Sequence, residues 1–168
     1  MSKQQIQNLT LEGVRIVFRN FSGAEGKYNR KGARNFCILL PTDLAEDMAK
    51  VGWNVRWLEP RNEEEEPQAY IEAAVNFGGR PPRVVMITSR GKTKLGEDEV
   101  GILDWADITN VDVILRPYQW DVNGKTGVKA YVQSLFVTIQ EDELEMKYID
   151  VPDSASAGFD YEPDEDLD

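Results

Sequence analysis

Arg116-Pro117-Tyr118-Gln119-Trp120-Asp121-Val122-Asn123-Gly124-Lys125-Thr126-Gly127-Val128-Lys129-Ala130-Tyr131 is the stretch on which the reading of this chain turns. Asn-Gly between two alternating apolar runs is the strongest short-range hairpin signal, because both residues accept the positive φ of a tight primed turn. The flanking runs, 110–120 and 128–140, are long enough to be two strands. On the first, Val111, Val113 and Leu115 share one face, and Arg116, Tyr118 and Trp120 share the other. On the second, Lys129, Tyr131 and Gln133 point the same way as one another. Cross-strand neighbours then gather guanidinium, ammonium and aromatic rings on one surface.

Outward from this hairpin the chain alternates with period two. Segment 14–19 sets Val14, Ile16 and Phe18 against Arg15 and Arg19, and 36–40 reads as a further strand. A short helix opens at 41–46, with Asp43 and Glu46 at capping-box spacing, and stops at Gly52. Segments 53–58, 69–77 and 83–89 are extended, and 97–105 reads as a second short helix. Trp53 and Trp57 lie on one face, where core packing is expected. Three glycine-containing basic loops are expected at 23–32, 90–94 and 123–127. The class is mainly β: a small antiparallel barrel with one or two short helical insertions. A two-sheet sandwich fits the same periodicity.

The 168 residues carry a net charge of −11 that is not spread evenly. Residues 1–140 hold eighteen Lys/Arg and eighteen Asp/Glu, whereas 141–168 hold only Lys147 against twelve acids. We therefore divide the chain into a neutral domain, 1–145, and an acidic flexible tail, 146–168, with too little apolar content to fold alone. Histidine is absent and Cys37 is the single cysteine, which removes histidine triads and zinc centres. Cys37, inside the apolar run 36–40, is expected to be a buried thiol. There is no membrane span and no apolar run after Met1-Ser2-Lys3, so the expected setting is cytoplasmic. Gly91-Lys92-Thr93 and Gly124-Lys125-Thr126 imitate a phosphate-binding loop, but Met86 and Gln119 stand where its first glycine must be.

Rings interleaved with cations suit single-stranded nucleic acid, where bases stack on rings and cations follow phosphates. The expected DNA-binding set is Arg116, Tyr118, Trp120, Lys129 and Tyr131 on the hairpin, with Lys27, Tyr28, Arg30, Lys31, Arg34, Lys92, Lys94 and Lys125 from the loops and Arg15 and Arg19 from the first strand. Three other readings use the same chain. The rings can instead cover a second small core from which the cations snorkel. The acidic end can mimic DNA, recruiting or inhibiting replication factors. Asp104, Asp107 and Asp112 can gather magnesium as a nuclease would, although caps and turns explain aspartates there more simply. No enzyme activity, metal or cofactor is expected.

The quoted hairpin resembles the final hairpin of phage-encoded single-stranded DNA-binding proteins, and segments 13–21 and 32–36 are similar to that family too. The resemblance implies an oligonucleotide-binding (OB) barrel, sequence-independent binding during replication or recombination in the infected cell, and a tail that docks replication or recombination proteins. The tail acids concerned are Asp160, Glu162, Asp164, Glu165, Asp166 and Asp168. Tails of this kind commonly end on an aromatic residue. This chain ends Asp166-Leu167-Asp168, with Phe159 and Tyr161 further in, which favours electrostatic competition with DNA over insertion into an aromatic-accepting pocket. A homo-oligomer is compatible with all of these readings.

Overall fold

The computed structural model describes residues 6–27 and 29–140. Tyr28, the 145/146 boundary and every tail acid named above lie outside the described residues.

Among the described residues, nine strands, one α-helix and one 3-10 helix follow in order: β1 (Leu9–Val14), β2 (Ile16–Asn20), β3 (Arg34–Leu40), α1 (Thr42–Val51), β4 (Val55–Leu58), β5 (Gln68–Val75), β6 (Arg83–Thr88), β7 (Gly91–Leu95), the 3-10 helix Val100–Asp104, β8 (Ile108–Val122) and β9 (Lys125–Ile139). The mainly-β class and the hairpin stand as expected. The hairpin is longer than its sequence pattern, because β8 and β9 pair down to Val122↔Lys125 and leave only Asn123 (φ 52) and Gly124 (φ 79) in the turn. Residues 125–127, expected as loop, are therefore strand.

The sheet follows the path β1-β8-β9-β5-β3-β2, with β4 on β5 and the β6–β7 pair beside β9. Most pairings are antiparallel, while β5–β9 and β6–β9 are parallel. The sheet is not closed into a barrel. Its two end strands, β1 and β2, are separated along the chain by Arg15 alone. They lie one behind the other and cannot pair side by side, yet their continuity brings the two edges together and forces the sheet to curl. The segment expected as one strand, 14–19, is thus split between opposite edges.

Inside the curl is one apolar cluster. Phe21 and Phe36 stack at 5.1 Å, and Ile38, Ile71, Val113, Leu115 and Leu135 are fully buried around them. Trp53 joins this core, but Trp57 is 42% exposed, so the two do not share an environment. Helix α1 buries Ala45 and Met48, and Gly52 ends it by donating to the carbonyls of Met48 and Ala49. Pro41 occupies the N-cap without a side-chain bond, so the expected capping box is not made. Asp43 acts in the first turn through its charge instead.

The second expected helix contracts to the 3-10 helix, pinned from both sides. Asp104 accepts from the amides of Phe21 (2.6 Å) and Ser22 (3.1 Å), and Arg19 Nη1 donates to the carbonyls of Leu103 and Ala106. Asp112 accepts from the Gly13 amide at 2.8 Å. These carboxylates cap backbone; among the described residues, no three acids or cysteines gather as a metal site. Replacing Asp104 by Ala should lower the urea-unfolding free energy by about 1.5–3 kcal/mol, the usual worth of hydrogen bonds to a charged group, and leave DNA binding by the folded fraction unchanged.

Candidate nucleic-acid interface

Register builds the site. Arg116 stands opposite Tyr131, Tyr118 opposite Lys129, and Trp120 opposite Gly127. Tyr118 and Tyr131 meet edge to face with ring centroids 6.0 Å apart. The Arg116 guanidinium lies 5.3 Å and the Lys129 ammonium 5.2 Å from the Tyr131 ring. Two cations over one ring hold both charges at the surface. Tyr118 is 52% exposed, so the pair is not the lid of a second core.

Gly127 lets Trp120 lie flat on the ribbon: a Cβ there would fall 2.6 Å from Trp120 Cε2. The indole consequently divides two hollows. One, of about 330 Å3, reaches Ile6, Val51 and Gly52; the other, of about 200 Å3, is lined by Asn54, Glu72 and Lys129.

From Tyr131 the outward face continues onto β5, where Ala74 pairs with Tyr131, and onto β3, where Asn35 pairs with Ala74. A groove of about 530 Å3 runs over it, with Lys129 and Tyr131 on one side and Arg30, Lys31 and Arg34 on the other. Asparagines shape the loop that brings these cations. Asn29 Nδ2 donates to the carbonyls of Ala24, Arg30 and Ala33, Asn35 donates to Asn29 Oδ1 at 2.8 Å, and Asn20 bonds Ala24 through both its amide groups. Arg34 is partly spent as wall, ion-paired with Glu97 at 3.1 Å and lying 5.8 Å from the Phe77 ring.

The structure thus gathers Arg30, Lys31, Arg34, Arg116, Tyr118, Trp120, Lys129 and Tyr131, with Lys125 exposed at the ribbon tip. The other described candidates stay apart from this group. Arg19 is committed to carbonyls, and with Arg15 it lines a separate hollow of about 190 Å3 beside Asp107–Val111. Lys92 and Lys94 sit on strand β7, not in a loop, because 91–95 pairs along β6. Lys27 belongs to the 23–32 loop but does not line the groove. Sequence reasoning missed Asn54, Glu72 and Phe77, which line the hollow or the groove. The period of β5 placed Glu72 outward, but only the fold puts it between rings and cations.

Cys37 pairs with Glu72 across β3 and β5 and is half-buried rather than fully enclosed. Burial first and the Glu72 charge second push its thiol up to about 11, against a smaller lowering by Arg56. The thiol is therefore neutral at physiological pH.

No curated protein matches the sequence. Among solved structures, the fold is similar to the single-stranded DNA-binding protein from bacteriophage Enc34 in a C-terminally truncated form (TM-score 0.53, 13% identity, covering 80% of this chain and 87% of that one). It is similar also to that phage protein in complex with ssDNA (TM-score 0.51, 13% identity, 81% and 88%). A family model described as "Putative phage ssDNA-binding domain" matches residues 1–167. With that match over nearly its whole length, the chain belongs to the phage single-stranded-DNA-binding domain family.

Proposed function

We propose that this protein holds single-stranded DNA across the outward face of the β8–β9 ribbon and the groove beside it, without catalysis and without reading a fixed sequence. The observation that carries the reading is the edge-to-face Tyr118–Tyr131 pair, with Tyr118 exposed, Tyr131 half-buried and Arg116 and Lys129 both on the Tyr131 ring. Bases stack on Tyr118, Tyr131 and Trp120 for about 1–3 kcal/mol each. Lys129, Arg116, Arg30, Lys31 and Lys125 neutralise phosphates. A similarly folded phage protein has been solved with ssDNA bound, which supports the same use of the fold here. Membership of the phage family supports a role in replication or recombination, carried out in the cytoplasm of the infected cell. The acidic tail, 146–168, competes electrostatically with DNA or docks replication or recombination proteins.

The test is anisotropy of a labelled oligo-dT at several salt concentrations, with duplex as control. Affinity for the single strand should fall with salt by about −0.7 log units per log unit for each phosphate neutralised. Tyr118→Ala should weaken binding about 5- to 150-fold, the equivalent of one stacked base, with the fold intact by circular dichroism. Equal affinity for duplex, or unchanged binding by Tyr118→Ala, would contradict the reading.

Gly127→Ala gives a second check, because the new methyl group displaces Trp120 from the ribbon without removing the ring. It should weaken oligo-dT binding and shift tryptophan emission. Alkylation of Cys37 should stay slow at pH 7–8 and accelerate only as pH nears its raised pKa of about 11, checked by mass spectrometry after iodoacetamide.

A further inference from the structure

Glu72 is an exposed carboxylate in the middle of a face built for an anion. It lines the 530 Å3 groove with Arg30, Lys31 and Tyr131, and it lines the 200 Å3 hollow with Asn54, Trp120 and Lys129. It stands between the two ring sites. Among the described residues its carboxylate has no hydrogen bond and no ion pair. Neither structural work nor charge neutralisation accounts for it, and beside phosphates a negative charge is a cost.

A carboxylate is an acceptor only, so what it recognises on a nucleic acid is a donor, and the sugar–phosphate chain of DNA offers none within the strand. Base edges do. Cytosine presents its N4 amino group, adenine its N6, and guanine its N1–H beside N2. Thymine has one N–H, flanked on both sides by carbonyl oxygens that a carboxylate repels. Glu72, Asn54 and Lys129 line the smaller hollow with Trp120, so a base stacked on Trp120 there would have Glu72 and Asn54 within reach of its edge and Lys129 within reach of the adjoining phosphate.

Resting on the placement of the strand proposed above, we infer that Glu72 is a specificity-determining residue: it favours bases that carry an exocyclic amino group over thymine at the Trp120 position. Stacking alone is indifferent to base identity, so the preference is graded and local.

The test measures binding of oligo-dC and oligo-dT of equal length at pH 8 and one salt concentration, for the full chain, Glu72→Ala, and Tyr118→Ala as a control. The expected result is that Glu72→Ala binds oligo-dT as well as or better than the unchanged protein, because a repulsive charge is gone, while the ratio Kd(dT)/Kd(dC) falls at least about five-fold, as loss of one base-edge contact requires. An unchanged ratio, with both affinities rising together, would overturn the inference and leave Glu72 a mere repulsive charge. The control separates the two proposals: Tyr118→Ala should weaken dC and dT alike. If it weakens neither, the strand does not run over this face and the inference falls with the site; if it weakens both while the Glu72→Ala ratio stays fixed, the site stands and only the role of Glu72 is wrong.

Discussion

The ladder between β8 and β9 is the constraint from which the rest follows. The Asn123-Gly124 turn starts the register at Val122↔Lys125, and a bulge changes it between Ile114↔Ser134 and Leu115↔Val132. That bulge skips Gln133, so Val128, Ala130 and Val132 face inward before it, and Leu135 and Val137 face inward after it. Side chains alternate with a strict period of two, so an unbroken ladder would have turned one half of β9 inside out. The extra residue lets both halves bury their apolar face and lets Lys129 and Tyr131 remain outside with Arg116 and Tyr118.

Once the rings are outside, their surroundings decide what they do. A partly exposed aromatic pair costs hydration, and the chain offsets this with two cations on the Tyr131 ring. Gly127 leaves room for Trp120 to lie against the ribbon and wall two hollows. Polar bonding, not apolar packing, shapes the 23–32 loop, where Asn20, Asn29 and Asn35 satisfy its backbone and hold Arg30 and Lys31 over the groove. The resulting face is preorganised for a flexible, charged, planar ligand.

What the sequence disclosed is what local periodicity encodes. The hairpin, its two faces and helix α1 were legible because turn chemistry and alternation act within a few residues. Strand β7 was not: Gly91 and its flanking cations have the composition of a turn, and only pairing with β6 makes them extended. The break at Arg15 was hidden because Val14 and Ile16 keep the alternation while the chain changes sheet edge. Arg19 carries the charge that suits phosphate, yet its partners are carbonyls more than eighty residues away, a non-local fact. Glu72 was visible as an outward residue and uninformative until the fold set it among cations.

The account ties DNA to particular rings, although Tyr118, Tyr131 and Trp120 are not the most exposed ones. Trp105, after the 3-10 helix, is 89% exposed, and Phe18, held at φ 52, is 64% exposed. Neither lies on the β8–β9 ribbon with Tyr131 or lines the groove beside it. Photo-crosslinking of a 5-iodouracil-substituted single strand, mapped by mass spectrometry of tryptic peptides, distinguishes these surfaces most directly. The account predicts adducts on Tyr118, Trp120 or Tyr131. Adducts confined to Trp105 or Phe18 would contradict it.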